Sequence, residues 1–249
     1  MPDSIKHQQA IELPSRENEL KIALGAEREF ALWSAALGHP ENVKHQLNLY
    51  LRSPQLDSFS LPNEATPLLL RLRTELPAAS LLSAAGNLIE RVISAPDLET
   101  ACAYFSSASP SLPVFIFTLK QGLTQENGYF RSLELEADMD SRQTARILRG
   151  DLTALGSTPP GDFLREKRLE VCEFMGQLIN TRCCFRRANG ELWELDLSHF
   201  PKRTDCELEV ETPNPDQALA EIRRLADQLG TPIRAQNKTK LQRFLESLI

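Results

Sequence analysis

The chain has 249 residues, 41% of them apolar and 25% charged, and a formal charge of −6. These proportions belong to a globular protein, and the negative charge gives no support to nucleic-acid binding, which calls for a basic patch or stripe. No apolar run approaches the roughly 20 residues of a membrane span, and the polar start MPDSIKHQQ lacks the apolar stretch of a signal peptide. A cytoplasmic protein is expected.

Residues 1–16 read as a flexible N-terminal arm and 17–249 as one domain. In RENELKI, Glu17, Glu19 and Lys21 alternate with Asn18, Leu20 and Ile22, so a strand over 17–24 puts three charges on one face. GAEREFALWSAAL, from Gly25, has helical periodicity, carries Trp33 on its apolar stripe and stops near Gly38-His39-Pro40. VKHQLNLYLRS alternates again, Gln46, Asn48 and Tyr50 against Leu47, Leu49 and Leu51. LLLRLRTE at 68–75 then places Arg71, Arg73 and Glu75 on one face.

Residues 76–112 contain the helical LLSAAGNLIERVI and the turn-rich SSASPSLP; they are too short for a core of their own and read as an insertion. Strand patterning resumes at 114–122 with Thr118 and Lys120, and at 131–138 with Glu134 and Glu136. Two helices are expected over 141–155 and 162–177, separated by the breaker STPPG. Three more strands carry Arg182, then Glu194 and Asp196, then Glu207, Glu209 and Glu211. Asn214-Pro215 suits a helix start and Gly230 its end. TKLQRFLESLI closes the chain as a helix packed on the outside.

About eight strands with short connections suit a closed antiparallel barrel with helices on its apolar outer face, an α+β fold. The acidic set would be Glu17, Glu19, Glu134, Glu136, Asp196, Glu207, Glu209 and Glu211; the basic set, Lys21, Arg71, Arg73, Lys120 and Arg182. Any single E-x-E strand is ordinarily a solvated sheet face. Here charge recurs at period two on strand after strand, and its sign segregates by strand, which favours an inward-facing charged interior. Buried like charges need partners. Bound metal and a polyanion supply them, with carboxylates on the metal and Arg or Lys on phosphate oxygens.

The five cysteines form no C-x-x-C pair and the four histidines show no metalloprotease spacing. Their odd number in a chain of this size argues against a disulfide framework. If metal binds, carboxylates hold it, which points to Mg2+ or Mn2+. Adjacent Cys183 and Cys184 would point to opposite faces of a strand and read as packing residues. His45 and His199 flank strands and read as structural or solvated.

The order of these motifs resembles the CYTH superfamily, the triphosphate tunnel metalloenzymes. E-x-E-x-K (Glu17, Glu19, Lys21) is similar to that family's first-strand signature. Q-x-N-x-Y, R-x-R, T-x-K, E-x-E, an Arg strand, an L-D strand and a last E-x-E follow in sequence, and Thr239-Lys240 resembles the Ser-Lys before the family's closing helix. The resemblance implies an eight-stranded tunnel that binds a triphosphate-containing small molecule and Mg2+ or Mn2+, as a monomer or homodimer with no nucleic-acid or membrane partner. It implies metal on Glu17, Glu19, Asp196, Glu209 and Glu211, and phosphate on Lys21, Arg71, Arg73, Lys120, Arg182 and Lys240. Glu19, Lys21 and Glu209 are the expected catalytic groups.

The sequence departs from that pattern in four places. Asn180 stands where the family often has Lys, and Arg131 is spaced to face outward. The last strand offers three glutamates for two roles, and the insertion could cap a tunnel mouth. The implied activity is metal-dependent hydrolysis of a triphosphate, inorganic triphosphate foremost. A class IV adenylate cyclase and a non-catalytic polyphosphate or nucleotide binder are the alternatives.

Overall fold

Eight strands close on themselves in the computed structural model, which describes residues 15–55, 68–77, 79, 81–108 and 115–249. They are β1 (Ser15–Gly25), β2 (Asn42–Arg52), β3 (Leu69–Leu76), β4 (Phe115–Glu126), β5 (Tyr129–Met139), β6 (Glu173–Arg186), β7 (Leu192–Phe200) and β8 (Arg203–Glu211). The antiparallel order runs β5-β4-β3-β2-β6-β7-β8-β1, and β1 also pairs with β5 to complete the barrel. A two-residue strand, β9 (Arg234–Ala235), extends β1 beyond that seam.

Directly opposed residues of an antiparallel pair share a face, and the register sorts the charges accordingly. Lys21 faces Glu209, Glu209 faces Glu194, and Asp196 faces both Glu207 and Arg182. Gln46 faces Asn180, Tyr50 faces Arg71, Arg71 faces Thr118, and Lys120 faces Glu134. The alternate residues, among them Leu20, Leu49, Leu72, Phe117, Leu195 and Leu208, are buried on the outer face. The charged faces are therefore the lining of the barrel, as the alternation led us to expect.

The seam depends on one glycine. Asn127 and Gly128 join β4 to β5 with φ of 49° and 83°, the left-handed pair that suits a tight hairpin. Gly128 O accepts the Lys21 N–H at 2.7 Å, and a Cβ at Gly128 would stand 2.6 Å from Lys21 O. Glycine thus lets β5 approach β1 where Lys21 enters the tunnel.

Helices cover the outer wall in two groups. α1 (Glu27–Leu37) and α6 (Pro215–Leu229) pack over β1, β7 and β8, with Trp33 fully buried and its indole N–H on Thr231. α2 (Leu81–Ser94), α3 (Leu98–Ala108), α4 (Ser141–Leu148) and α5 (Pro159–Glu166) cover the β2–β5 side. Gly230 ends α6 at φ 62° as expected, although Asn214 caps it without a side-chain hydrogen bond. Among the described residues no helix is long and apolar enough to cross a membrane.

Five expectations are corrected. The helix proposed over 162–177 is shorter: α5 ends at Glu166 and β6 begins at Glu173. The supposed breaker starts that helix, since Pro159 and Pro160 occupy its first turn behind the Thr158 cap, where a missing N–H costs nothing. Likewise α4 stops at Leu148, and Leu152–Leu155 is a separate 3-10 turn. The helices of the 76–112 segment lie against the outer wall, with Leu82, Ala85, Leu88, Ile89 and Val92 in the same core as Leu47 and Leu49, and so do not cap a mouth. Residues 78, 80 and 109–112 of that segment lie outside the described residues, as do 113–114 and residues 1–14 of the proposed arm; Ser15 and Arg16 belong to β1.

The last correction concerns the closing helix, α7 (Lys240–Leu248). It does not lie on the outer wall. Leu241 and Phe244 are buried with Tyr50, Leu178 and Phe200, and the Phe244 ring lies 4.8 Å from that of Tyr50. Tyr50 and Leu178 share the inward register, so α7 sits across one end of the barrel.

Candidate functional site

The barrel holds a cavity of about 330 Å³, lined by residues of all eight barrel strands and by the start of α7. Its chemistry divides into two walls. The first is built by β1, β6, β7, β8 and α7. Asp196, Glu207 and Glu209, all at most 5% exposed, bring carboxylate oxygens within 4.8 Å of one another. Three buried hard-oxygen donors converging in this way suit Mg2+ or Mn2+.

Those carboxylates are already paired. Lys240 Nζ lies 2.7 Å from Asp196 Oδ2 and 2.7 Å from Glu209 Oε1, and also contacts Glu207. Arg182 reaches Asp196 through Nε at 2.8 Å and Nη2 at 2.6 Å, Glu209 at 2.6 Å, and Glu194 through Nη1. Lys21 Nζ is 2.5 Å from Glu209 and 3.0 Å from Glu19. Behind them Arg243 donates to Glu207 at 2.6 Å and to Asp205 at 3.0 Å. Burial alone would push every one of these groups toward neutrality. The pairs overcome it: Asp196 and Glu209 stay below the usual carboxylate range because of Arg182, Lys240 and Lys21, whose own charged forms are reinforced in turn.

Helix capping and a polar network fix this wall. Thr239 and Gln242 form a reciprocal capping box at 3.1 and 2.8 Å, which sets where Lys240 leaves α7. Asn180 donates to Gln46 at 3.1 Å and to Asp196 at 3.0 Å, and accepts from Ser198 at 3.0 Å. An Asn at this position thus orients Asp196 rather than adding another cation.

The second wall, from β3, β4 and β5, is looser. Arg71 is 3.5 Å from Glu134 and 3.3 Å from Thr118, and Arg73 is 3.4 Å from Glu136. The Nε atoms of both arginines are buried without a hydrogen-bond partner among the described residues. Burial, and then the charge of Arg71, lowers the Arg73 pKa. Lys120 bridges the walls, contacting Glu17 and lying 3.2 Å from Glu134 and 3.4 Å from Glu19. Here two carboxyls are driven apart: burial pushes Glu17 up to about 8, whereas Lys120 and Arg71 outweigh burial and hold Glu134 at about 2.

The structure thus gathers Asp196, Glu207 and Glu209 into one group and places Glu17 and Glu134 around Lys120. Glu19 lies between the two groups. Glu136 is bonded to Thr118 at 2.8 Å on the second wall. Glu211 faces Glu19 in register but is exposed at the cavity's edge. Arg131 is exposed, in the register opposite to Ser132 and Glu134.

Two groups stand outside the site expected from sequence: Arg243, and Glu194, placed on its strand with Asp196 but not in the acidic set. Arg243 sits one turn after Lys240 in a stretch that reads only as amphipathic helix, and that i, i+3 spacing was its one visible signal. Glu194 shares the inward register with Asp196 and binds Arg182. The thiols play no visible part: Cys183 is in the outer core, and Cys184, pushed up to about 11 by burial, rests 3.8 Å from Glu194.

Neither a protein-family model nor a curated protein sequence matches the chain. Solved structures do. A candidate adenylyl cyclase from Hippeastrum, described as having a dominant triphosphatase activity, is 18% identical over 92% of this chain and 95% of its own, with a TM-score of 0.67. A candidate adenylate cyclase from Bacillus halodurans is 20% identical over 92% and 98%, with a TM-score of 0.58. The PH1819 protein of Pyrococcus horikoshii OT3 is 14% identical over 92% and 98%, with a TM-score of 0.50. At these identities the likeness is one of fold, and this chain shares the architecture of those structures.

Proposed function

We propose that the protein is a CYTH-type enzyme that hydrolyses the terminal phosphoanhydride of a triphosphate, inorganic triphosphate foremost, with Mg2+ or Mn2+. One observation carries the reading. Inside the barrel, a cavity lined by Glu209 of the buried carboxylate triad Asp196, Glu207 and Glu209 is also lined by Arg71 and Arg73, arginines whose Nε groups have no partner among the described residues. That combination suits a cation and a polyanion bound side by side. The triphosphatase activity described for the Hippeastrum neighbour supports it.

Asp196, Glu207 and Glu209 would hold the ion, with Glu19 within reach of the same cavity. The bound ion would neutralise phosphate charge and activate water. Arg71, Arg73 and Lys120 would grip non-bridging oxygens and stabilise the charge that passes to the leaving diphosphate. Water attacks the terminal phosphorus in line, its oxygen bonding to phosphorus as the bridging P–O bond breaks. Glu17 is the carboxyl tuned to take the released proton near neutral pH. Glu209, held well below the usual range, stays ionised as a ligand rather than a base.

The test is phosphate release from inorganic triphosphate, thiamine triphosphate and nucleoside triphosphates with each metal. No release from any of them overturns the reading. A cyclase reading draws on the descriptions of the Hippeastrum and Bacillus neighbours. Products of an ATP incubation separate the two: cyclic AMP with diphosphate marks a cyclase, and ADP with phosphate a triphosphatase.

A further inference from the structure

An ammonium group stands where the three carboxylates would receive a divalent ion. Lys240 Nζ contacts Asp196, Glu207 and Glu209 together, the first and last at 2.7 Å. It is delivered there by a helix that is itself fixed at the barrel end, by the Thr239–Gln242 capping box, by Arg243 on Glu207 and Asp205, and by Phe244 against Tyr50. A monocation and a divalent cation cannot share those oxygens, because they would repel at contact distance in a buried site where screening is weak.

We propose that Lys240 is a built-in competitor of the metal, and that metal loading is coupled to the seating of α7. This rests on the metal-dependent reading of the tunnel. Entry of the ion requires the ammonium to leave the carboxylates. The displaced lysine remains in the cavity, where a phosphate oxygen offers it a new partner. Metal alone therefore binds weakly, metal and polyanion bind with positive coupling, and an empty tunnel keeps its acidic cluster neutralised by its own chain.

Calorimetry with Mn2+ alone tests the competition, comparing the wild type with Lys240→Gln and Lys44→Gln. Lys44 also lines the cavity, but its ion-pair partner is Glu75 at 3.2 Å, so its removal reports only the general effect of losing a positive charge. We expect Lys240→Gln to bind Mn2+ about tenfold tighter and Lys44→Gln to change far less. Equal or weaker binding by Lys240→Gln, an equal gain from Lys44→Gln, or no Mn2+ binding by any form overturns the proposal. Amide hydrogen exchange on the wild type supplies a measurement that needs no variant. Mn2+ should speed exchange in the first turns of α7, and unchanged or slower exchange also overturns it. Neither measurement contains a substrate, so a failure to hydrolyse triphosphates stays distinguishable from a failure of this exchange.

Discussion

The wall built by β1, β6, β7, β8 and α7 and the wall built by β3, β4 and β5 are both charged, yet they hold their charges differently. On the first, Asp196 is fully buried and surrounded by Arg182, Lys240 and Asn180 at 2.6 to 3.0 Å. On the second, Arg71 and Arg73 stand 3.4 to 3.5 Å from their carboxylates and retain unpartnered Nε groups. Buried pairs of the first kind are costly to break and contribute little if replaced whole. Donors of the second kind leave buried polar groups unsatisfied, a cost that an anion held by the same guanidinium groups would offset. The difference separates a wall that holds a cation from a wall that waits for an anion.

Asp196→Asn should break the contrast most. It removes one metal oxygen donor and leaves Arg182 and Lys240 short of a countercharge, so Mn2+ binding should vanish and phosphate release fall by about a thousandfold or more, the scale of losing a key electrostatic group. Calorimetry and a phosphate assay read both effects, and retained Mn2+ affinity would show that the triad is not the metal site. Next in size is Arg182→Met against Arg73→Met in urea unfolding. The first should lose about 3–5 kcal/mol, as for removing one partner of a buried pair, and the second about 1 kcal/mol or less, as for an exposed pair. Equal losses would erase the distinction between the walls.

Arg73→Met should instead act on substrate. Its KM for inorganic triphosphate should rise roughly tenfold or more, as expected for loss of a charge-assisted contact worth about 1.5–3 kcal/mol. A change confined to kcat, with KM untouched, would place Arg73 outside the phosphate grip.

The smallest effect is on pH dependence. Glu17 has its folded pKa raised to about 8 from 4.5, so between those values the folded state binds more protons than the unfolded one, and stability falls as pH rises. Glu134, at about 2, contributes in the opposite sense and only below 4.5, its stabilisation being lost as pH falls. In metal-free protein the melting temperature should therefore decline by a few degrees from about pH 5 to 8, and Glu17→Gln should flatten that decline. The same substitution should remove the rise in turnover as Glu17 ionises. A melting curve unchanged by Glu17→Gln would assign the slope to other groups.

Much of the barrel was legible because alternation survives in a single sequence. A strand buried on its outer face and charged on its inner face reads apolar-charged-apolar, and LRLR or ELEVE leaves few other solutions. The α5–β6 boundary was not legible. Residues 162–177 carry apolar groups compatible with either period, and only the hydrogen bonds from β6 to β2 decide the matter. The Pro159-Pro160 pair misled as well, since the same residues stop one helix or start the next depending on where the chain turns.

The candidate site shows the same division. Sequence by itself determined that Glu19, Lys21, Arg71, Arg73, Lys120, Asp196 and Glu209 would share an enclosed, charged face, because side-chain direction on a strand follows from position alone. It could not determine which charges meet. Lys240 finds Asp196 across 44 residues and Arg243 finds Glu207 across 36, and those pairings depend on barrel closure and on the end of the barrel that α7 enters. An amphipathic helix specifies that it must bury one face, not which surface receives it. Tertiary structure made that choice, and with it set an ammonium among three carboxylates while leaving two arginines with donors to spare.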